Sequence, residues 1–236
     1  MNEPTNSPML PPPSGVAEWF SVWKDAVTKP NEQTFSRIAQ SPNAKLTTAL
    51  LWIFLGSLVS FFLTALVQGQ VTRQMMQNFG MEGLPETAGS TLISAICGAP
   101  IAALISVVLT ALMIGVVQLI AKMFGGHGTF DQLAYAMAAI LAPFSLVSGV
   151  LTLFSAIPYV GACFGIVSLL AGLYVLVLEI MAVKGVNQFG WGQAIASLLL
   201  PSFVLICCIA VGVIGVLQAL GPAISDTFNS IQQSLP

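Results

Sequence analysis

Five long apolar runs constrain this chain more than any other feature. The clearest is Gly161–Val183, GACFGIVSLLAGLYVLVLEIMAV, in which Glu179 is the only charged residue. About 20 such residues in helical form cross the hydrocarbon core of a bilayer. The other runs cover roughly 46–67, 100–121, 133–154 and 194–220. Lipid offers the backbone no hydrogen bonds, so a segment that crosses it must satisfy its own amides as a helix or join a closed barrel. Unbroken apolar runs of this length, without alternation, specify helices. The expected fold class is therefore all-α: a polytopic membrane protein with five transmembrane helices.

Composition agrees with that reading. The chain is 56% apolar and only 7% charged, where soluble domains carry about a quarter charged residues. A net charge of −2, with Lys and Arg dispersed, gives no phosphate-binding patch and no expectation of nucleic acid. The four cysteines (Cys97, Cys163, Cys207, Cys208) form no C-x-x-C, and His127 is the only histidine. No metal site is expected, nor any cofactor, and the cysteines read as small buried apolar residues. The N-terminus has no basic region followed by an apolar run, so no cleavable signal peptide is expected.

Four regions follow from the patterning. Residues 1–14 are rich in Pro, Ser and Asn and read as a disordered tail. Residues 15–45 form an amphipathic region before the first span. Trp19, Trp23, Ala26 and Val27 recur at helical spacing, with Glu18, Ser21, Lys24 and Asp25 opposite. Next to a membrane domain, such a helix is expected to lie in the interface, with Trp19 and Trp23 as anchors; a docking surface for a cytosolic partner is the alternative. Lys29-Pro30-Asn31 ends this helix, and Asn31 is placed to cap a second one, 32–40. Residues 46–220 form the membrane domain. Pro100 is expected at the first position of its span, and Pro143 inside its own. Thr129 is placed to cap the third span, and residues 221–236 read as a polar tail.

The basic residues orient the spans. With the N-terminus cytoplasmic, Lys24, Lys29, Arg37, Lys45, Lys122 and Lys184 fall on that side and Arg73 alone on the other. This is the positive-inside bias, and four or six spans would spoil it. The C-terminus is then expected outside the cytoplasm. Gly161 lies near the outer face and Glu179 near the inner one.

Several patterns resemble the Yip1-domain membrane proteins in their prokaryotic form. WKDAVTKPNEQTFSRIAQSPN, residues 23–43, is similar to the helix, Pro, Thr-Phe, helix, Pro approach to the first span of bacterial members. GGHGTFDQLAYAMAAILAP, residues 125–143, is similar to the family's Gly-Gly-x-Gly-(Ser/Thr)-Phe run and the Pro-containing span after it. The resemblance covers roughly 25–220. It implies a five-span plan with a cytoplasmic N-terminus, in the cell membrane of a prokaryote. Eukaryotic relatives act in traffic between endoplasmic reticulum and Golgi and bind Rab-type GTPases. Their Asp-Leu-Tyr-Gly-Pro motif is not found in this sequence, so GTPase binding is not carried over.

Residues with chemical potential are few. Glu179, a carboxylate within a span, suits a proton or ion path; about one turn from the cytoplasmic end, it is equally placed to pair with Lys184. His127 and Asp131 stand four apart in GGHGTFD, a spacing that suits acid–base work, whereas the glycines suit a sharp turn between spans. Gly161-x-x-x-Gly165 and the Ala134, Ala138, Ala142 face permit close helix packing. The expectation is that spans three and four pack together through them, with homo-oligomerisation as the alternative. The functional expectation is a non-enzymatic membrane scaffold or adaptor in membrane organisation or protein trafficking. It would contact the lipid bilayer and a membrane or cytosolic protein. A small transporter or permease component is the alternative.

Overall fold

The structure, a computed structural model, describes residues 15–78, 88–155, 157 and 160–234. The proline-rich tail, the Gly/Pro turn at 80–87 and Pro158-Tyr159 lie outside the described residues. Those described form seven helices and no strand: α1 Val16–Thr28, α2 Glu32–Ala39, α3 Leu46–Asn78, α4 Ala88–Met123, α5 Phe130–Ser155, α6 Val160–Asn187 and α7 Trp191–Ser234. Five contain stretches long and apolar enough to cross a membrane: Leu46–Gly69, Ala95–Met123, Phe130–Phe154, Cys163–Asn187 and Trp191–Val216.

Local signals place the short helices. The Asn31 side chain accepts from the Thr34 amide at 2.7 Å and starts α2. Thr129 and Gln132 form a reciprocal capping box at the start of α5. Two boundaries differ from expectation. Pro100 lies inside α4, which begins twelve residues earlier at Ala88, because the apolar lead-in from Leu92 continues the helix. Residues expected as a polar tail extend α7 as far as Ser234.

The centre of the bundle is α5. From Leu133 to Ala142 every side chain but Leu141 is at most 2% exposed, as expected of a helix that is apolar all round. Helices α3, α6, α4, α1 and α2 surround it. Alanines at 134, 138 and 142 keep this helix thin, so its neighbours approach closely. The closest approach is to α3. A Cβ on Gly149 would sit 2.8 Å from Ser60 Cα, and one on Gly56 would meet the Ala142 carbonyl oxygen at 3.0 Å.

The expected packing of spans three and four through a glycine seam is therefore corrected. Ala138 and Ala142 are buried, but the glycine that meets Ala142 is Gly56 of α3. On α6, Gly165 and Gly172 are exposed, with nothing within 4 Å of an added Cβ. That helix instead turns Val175, Leu178, Ala182, Val183 and Val186 inward. The larger α6 side chains fill the space toward α5, which turns the glycines outward. The four cysteines are also exposed rather than buried. They lie on the outer surfaces of α4, α6 and α7, among large exposed apolar side chains that a bilayer would cover.

Candidate functional site

Polar chemistry gathers at one end of the bundle. Here α3 begins, α4 and α6 end, α5 and α7 begin, and α1 and α2 fold over the result. Lys45, Lys122 and Lys184 all belong to this end.

The two short helices are held by packing and by charge. Trp19 and Trp23 meet Trp52 of α3 edge-on, with ring centroids 6.0 and 5.6 Å apart, and Trp52 lies against Tyr135 of α5 at 4.7 Å. Trp23 and Trp52 are buried. The Trp19/Trp23 face, expected to anchor in lipid, is thus mostly spent on the protein's own spans. Val16 and Phe20 are the large apolar residues that α1 leaves exposed. Farther along α1, the Val27 carbonyl accepts from the Tyr174 hydroxyl of α6 at 2.6 Å.

Asp25 binds both Lys29, at 2.9 Å, and Arg37 of α2, at 3.0 Å. The Lys29 hydrogen bond, with the charges of Lys29, Arg37 and Lys24, holds the Asp25 carboxyl below the usual carboxylate range despite partial burial. Glu18 accepts from the Asn43 side chain at 2.6 Å. These contacts tie α1, α2 and the approach to α3 into one layer.

Lys184 forms the anchor to α6. Its side chain is only 12% exposed. It pairs with Glu32 of α2 and lies 4.3 Å from the centroid of the Trp191 ring. The expected Glu179–Lys184 pair is thereby corrected, because Glu32 of α2 is the carboxylate that reaches Lys184. One residue on, an added Cβ at Gly185 would approach the Glu32 carbonyl oxygen to 2.6 Å. This glycine lets α2 cross α6 in contact with it.

The Gly-Gly-His-Gly loop is pinned beneath. Gln118 and Asn187, both buried, exchange amide hydrogen bonds at 3.1 and 3.3 Å. Gln118 also donates to the Gly128 carbonyl at 2.6 Å, Asn187 to Val183 at 3.1 Å, and the His127 amide to the Asn187 carbonyl at 3.2 Å. Added Cβ atoms on Gly126 or Gly128 would lie 2.6 Å from Asn187 or Val186 atoms. The glycines are thus required by close approach as well as by the turn. Gln193 of α7 donates to the Phe124 carbonyl and caps its own helix at Gly190.

The chemistry expected of His127 and Asp131 does not assemble. Both side chains are exposed, and neither joins an ion pair or hydrogen bond among the described residues. No cluster of three potential metal ligands occurs among the described residues either. Glu179 lies eight residues inside the end of α6, about 12 Å along the axis, deeper than the expected single turn. It is half-buried and has no hydrogen-bond partner among the described residues. Three hollows open on this end among the described residues, one of them along α2 between Gln33 and Pro42. A cleft of about 610 Å³ runs between α2 and the α6–α7 turn, lined by Glu32, Gln33, Lys184, Gln188 and Trp191. A smaller hollow of about 170 Å³ is bordered by Ser36, Gln40, His127 and Gln132.

Sequence reasoning missed Gln118, Asn187 and Gln193. Their signal was available, since amides within or just beyond an apolar run imply an interhelical hydrogen bond.

The Yip1 domain matches residues 24–212, well over half of the chain. The chain belongs to the Yip1 family. No curated protein and no solved structure matches it. The matched region takes in α2, the Gly-rich loop and most of the five span-length helices, whereas Glu18, Trp19 and Trp23 of α1 precede it. The protein is accordingly a multi-pass membrane protein of the Yip1 type.

Proposed function

We propose that this Yip1 protein is a non-enzymatic scaffold or adaptor whose layered end docks another protein. The observation that carries the reading is the α1–α2 layer, fixed to the spans by Trp23, Gly185 and Lys184 while its polar face and the 610 Å³ cleft stay open. A helix pair serving only as a lipid anchor has no use for an ion pair and a cleft on its exposed side. The lysine bias supports a cytoplasmic location for this end, and the resemblance to prokaryotic members supports the cell membrane of a prokaryote. A membrane or cytosolic protein is the partner class, and self-association is a further form of the same role.

A photo-crosslinking residue at exposed Gln33, in native membranes, tests this reading. Reproducible protein adducts are expected there and not at Leu199, on the apolar surface of α7. Adducts at neither position would refute it. A reporter fused after Pro236 is expected outside the cytoplasm; cytoplasmic activity would overturn the orientation.

A second reading rests on Glu179, an acid in a span without a hydrogen-bond partner among the described residues. Proteoliposome flux that disappears in Glu179→Gln would establish a transport component instead.

A further inference from the structure

The first helix does not lie flat across the end of the bundle. Its start is tied to the approach of α3, where Glu18 accepts from Asn43. Its other end reaches much farther along the spans. The Val27 carbonyl accepts from the Tyr174 hydroxyl, and Val27 shares a small hollow with Ile140 and Pro143 of α5 and Leu178 of α6. Tyr174 stands thirteen residues from Asn187, the last residue of α6, and Pro143 stands thirteen from Phe130, the first of α5. Both separations place the end of α1 about 20 Å along the axis from the layered end.

Contacts between the spans carry that level across the bundle. A Cβ on Gly56 of α3 would meet the Ala142 carbonyl oxygen at 3.0 Å, and the Ser57 hydroxyl lies 3.2 Å from that of Ser106 on α4. The end of α1 is thus level with Gly56 and Ser106, near the middle of the apolar stretches Leu46–Gly69 and Ala95–Met123. The two flanks differ at this depth. On α4, Leu104, Ile105, Val108 and Leu109 are exposed, and apolar exposure continues through Leu112 and Leu119 toward Lys122. From Ser106 to Lys122 is about 24 Å. Over the same depth on the other flank, α1 and α2 cover α5 and turn Lys24, Thr28, Lys29 and Arg37 outward, with Asp25 between the cations.

Exposed charges of this kind are costly in hydrocarbon. A lysine stem reaches roughly 6 Å toward water, well short of the distance from the end of α1 to the layered end. An acyl layer that covers α4 over this depth must therefore give way beside α1. The outer remainder of α5, Pro143 to Phe154, is about 17 Å long, against about 30 Å for an undisturbed hydrocarbon core. We propose that the α1 flank meets lipid headgroups and water down to the level of Tyr174, so that the protein thins, on this one side, the leaflet at its layered end. A bilayer accommodates a short apolar flank in this way at modest cost. Glu179, five residues nearer the layered end than Tyr174, falls within the same hydrated belt. This placement does not depend on what docks at the cleft.

The full chain in lipid nanodiscs, open to solvent on both faces, tests the proposal. Cys97, Cys163, Cys207 and Cys208 are replaced by serine, and one new cysteine is introduced at a time. Val177 of α6 and Leu112 of α4 are both exposed and lie about 5–9 Å nearer the layered end than the end of α1. A water-soluble maleimide distinguishes them, because the reactive thiolate forms in water and not in hydrocarbon. Val177→Cys should react at least about tenfold faster than Leu112→Cys. Thr28→Cys, on α1 itself, should behave like Val177→Cys and replaces it as the probe if that variant folds poorly. Protection of the α1-flank cysteine equal to that of Leu112→Cys would overturn the proposal, since acyl chains or a second copy would then cover this flank. Equally fast reaction at Leu112→Cys would overturn it too, by placing the whole bundle uniformly farther out of an unthinned bilayer.

Discussion

Gly149→Ala is expected to destabilise the bundle, while Gly165→Ala is not. The new Cβ at 149 would sit 2.8 Å from Ser60 Cα. Ordinary contact begins at 3.4 Å, so α3 and α5 would have to separate by about 0.6 Å (3.4 − 2.8). The obstructing atom is backbone and cannot swing aside as a side chain can. Overpacking of this kind costs about 1–3 kcal/mol. Replacing helical glycine by alanine returns up to about 1 kcal/mol through propensity, leaving Gly149→Ala neutral to about 2 kcal/mol less stable. At Gly165 the propensity gain meets no opposing contact, because the added methyl enters open space. The two variants should therefore differ by about 1–3 kcal/mol. Reversible unfolding in mixed micelles, followed by the fluorescence of buried Trp52, gives the comparison. Equal stabilities, or a Gly165→Ala protein less stable than Gly149→Ala, would refute the α3–α5 seam and restore α6 as the close-packing helix.

Three further outcomes follow from the layered end. The indole N–H of Trp52 is buried without a hydrogen-bond partner among the described residues, so Trp52→Phe should change unfolding stability far less than Trp52→Ala, expected to cost about 3–5 kcal/mol; equal losses would contradict this. Asn187→Leu should cost about 1–3 kcal/mol by stranding Gln118, and adding Gln118→Leu should recover part of that; a double variant as unstable as the summed singles would count against the amide pair. Asp25 has a depressed carboxyl pKa, so its contribution is complete above the unfolded value near pH 4 and is lost as pH falls through the lower, folded value. Hydrogen exchange in α1 and α2 should accelerate below about pH 4 in the unmodified protein, whereas Asp25→Asn should remove this pH dependence; identical profiles would sink the assignment.

Helix existence was legible because apolar runs of this length have one solution in lipid. The caps at Asn31 and Thr129 were legible because their chemistry is local. Helix pairing was not. Glycine patterns occur on α3, α5 and α6 alike, and only three-dimensional packing distinguishes Gly149, pressed on Ser60, from Gly165, open to the outside. The Lys184 partner was hidden for a related reason. Glu179 is nearer in sequence, but Glu32 arrives from more than a hundred residues away. Trp19 and Trp23 had the pattern of a lipid-facing helix, and amphipathicity alone does not say which apolar surface covers it.

The paired contacts also separate two roles that the basic residues share in the sequence. Lys29, Arg37 and Lys184 are matched to Asp25 and Glu32, acids carried by α1 and α2. They still count toward orientation, since the positive-inside bias follows Lys and Arg and depends little on neighbouring acids. They add little to the outward field, because their charge is compensated within a few ångströms. Lys45 and Lys122 have no such partner among the described residues. Their field therefore extends into the solvent at this end of the bundle, where salt screens it within about 8–10 Å. Hydrogen exchange in α2 should accelerate in Lys184→Ala and stay unchanged in Lys45→Ala or Lys122→Ala; equal acceleration in all three would contradict this division. The same count of positive charges thus divides into an internal clamp and an uncompensated remainder.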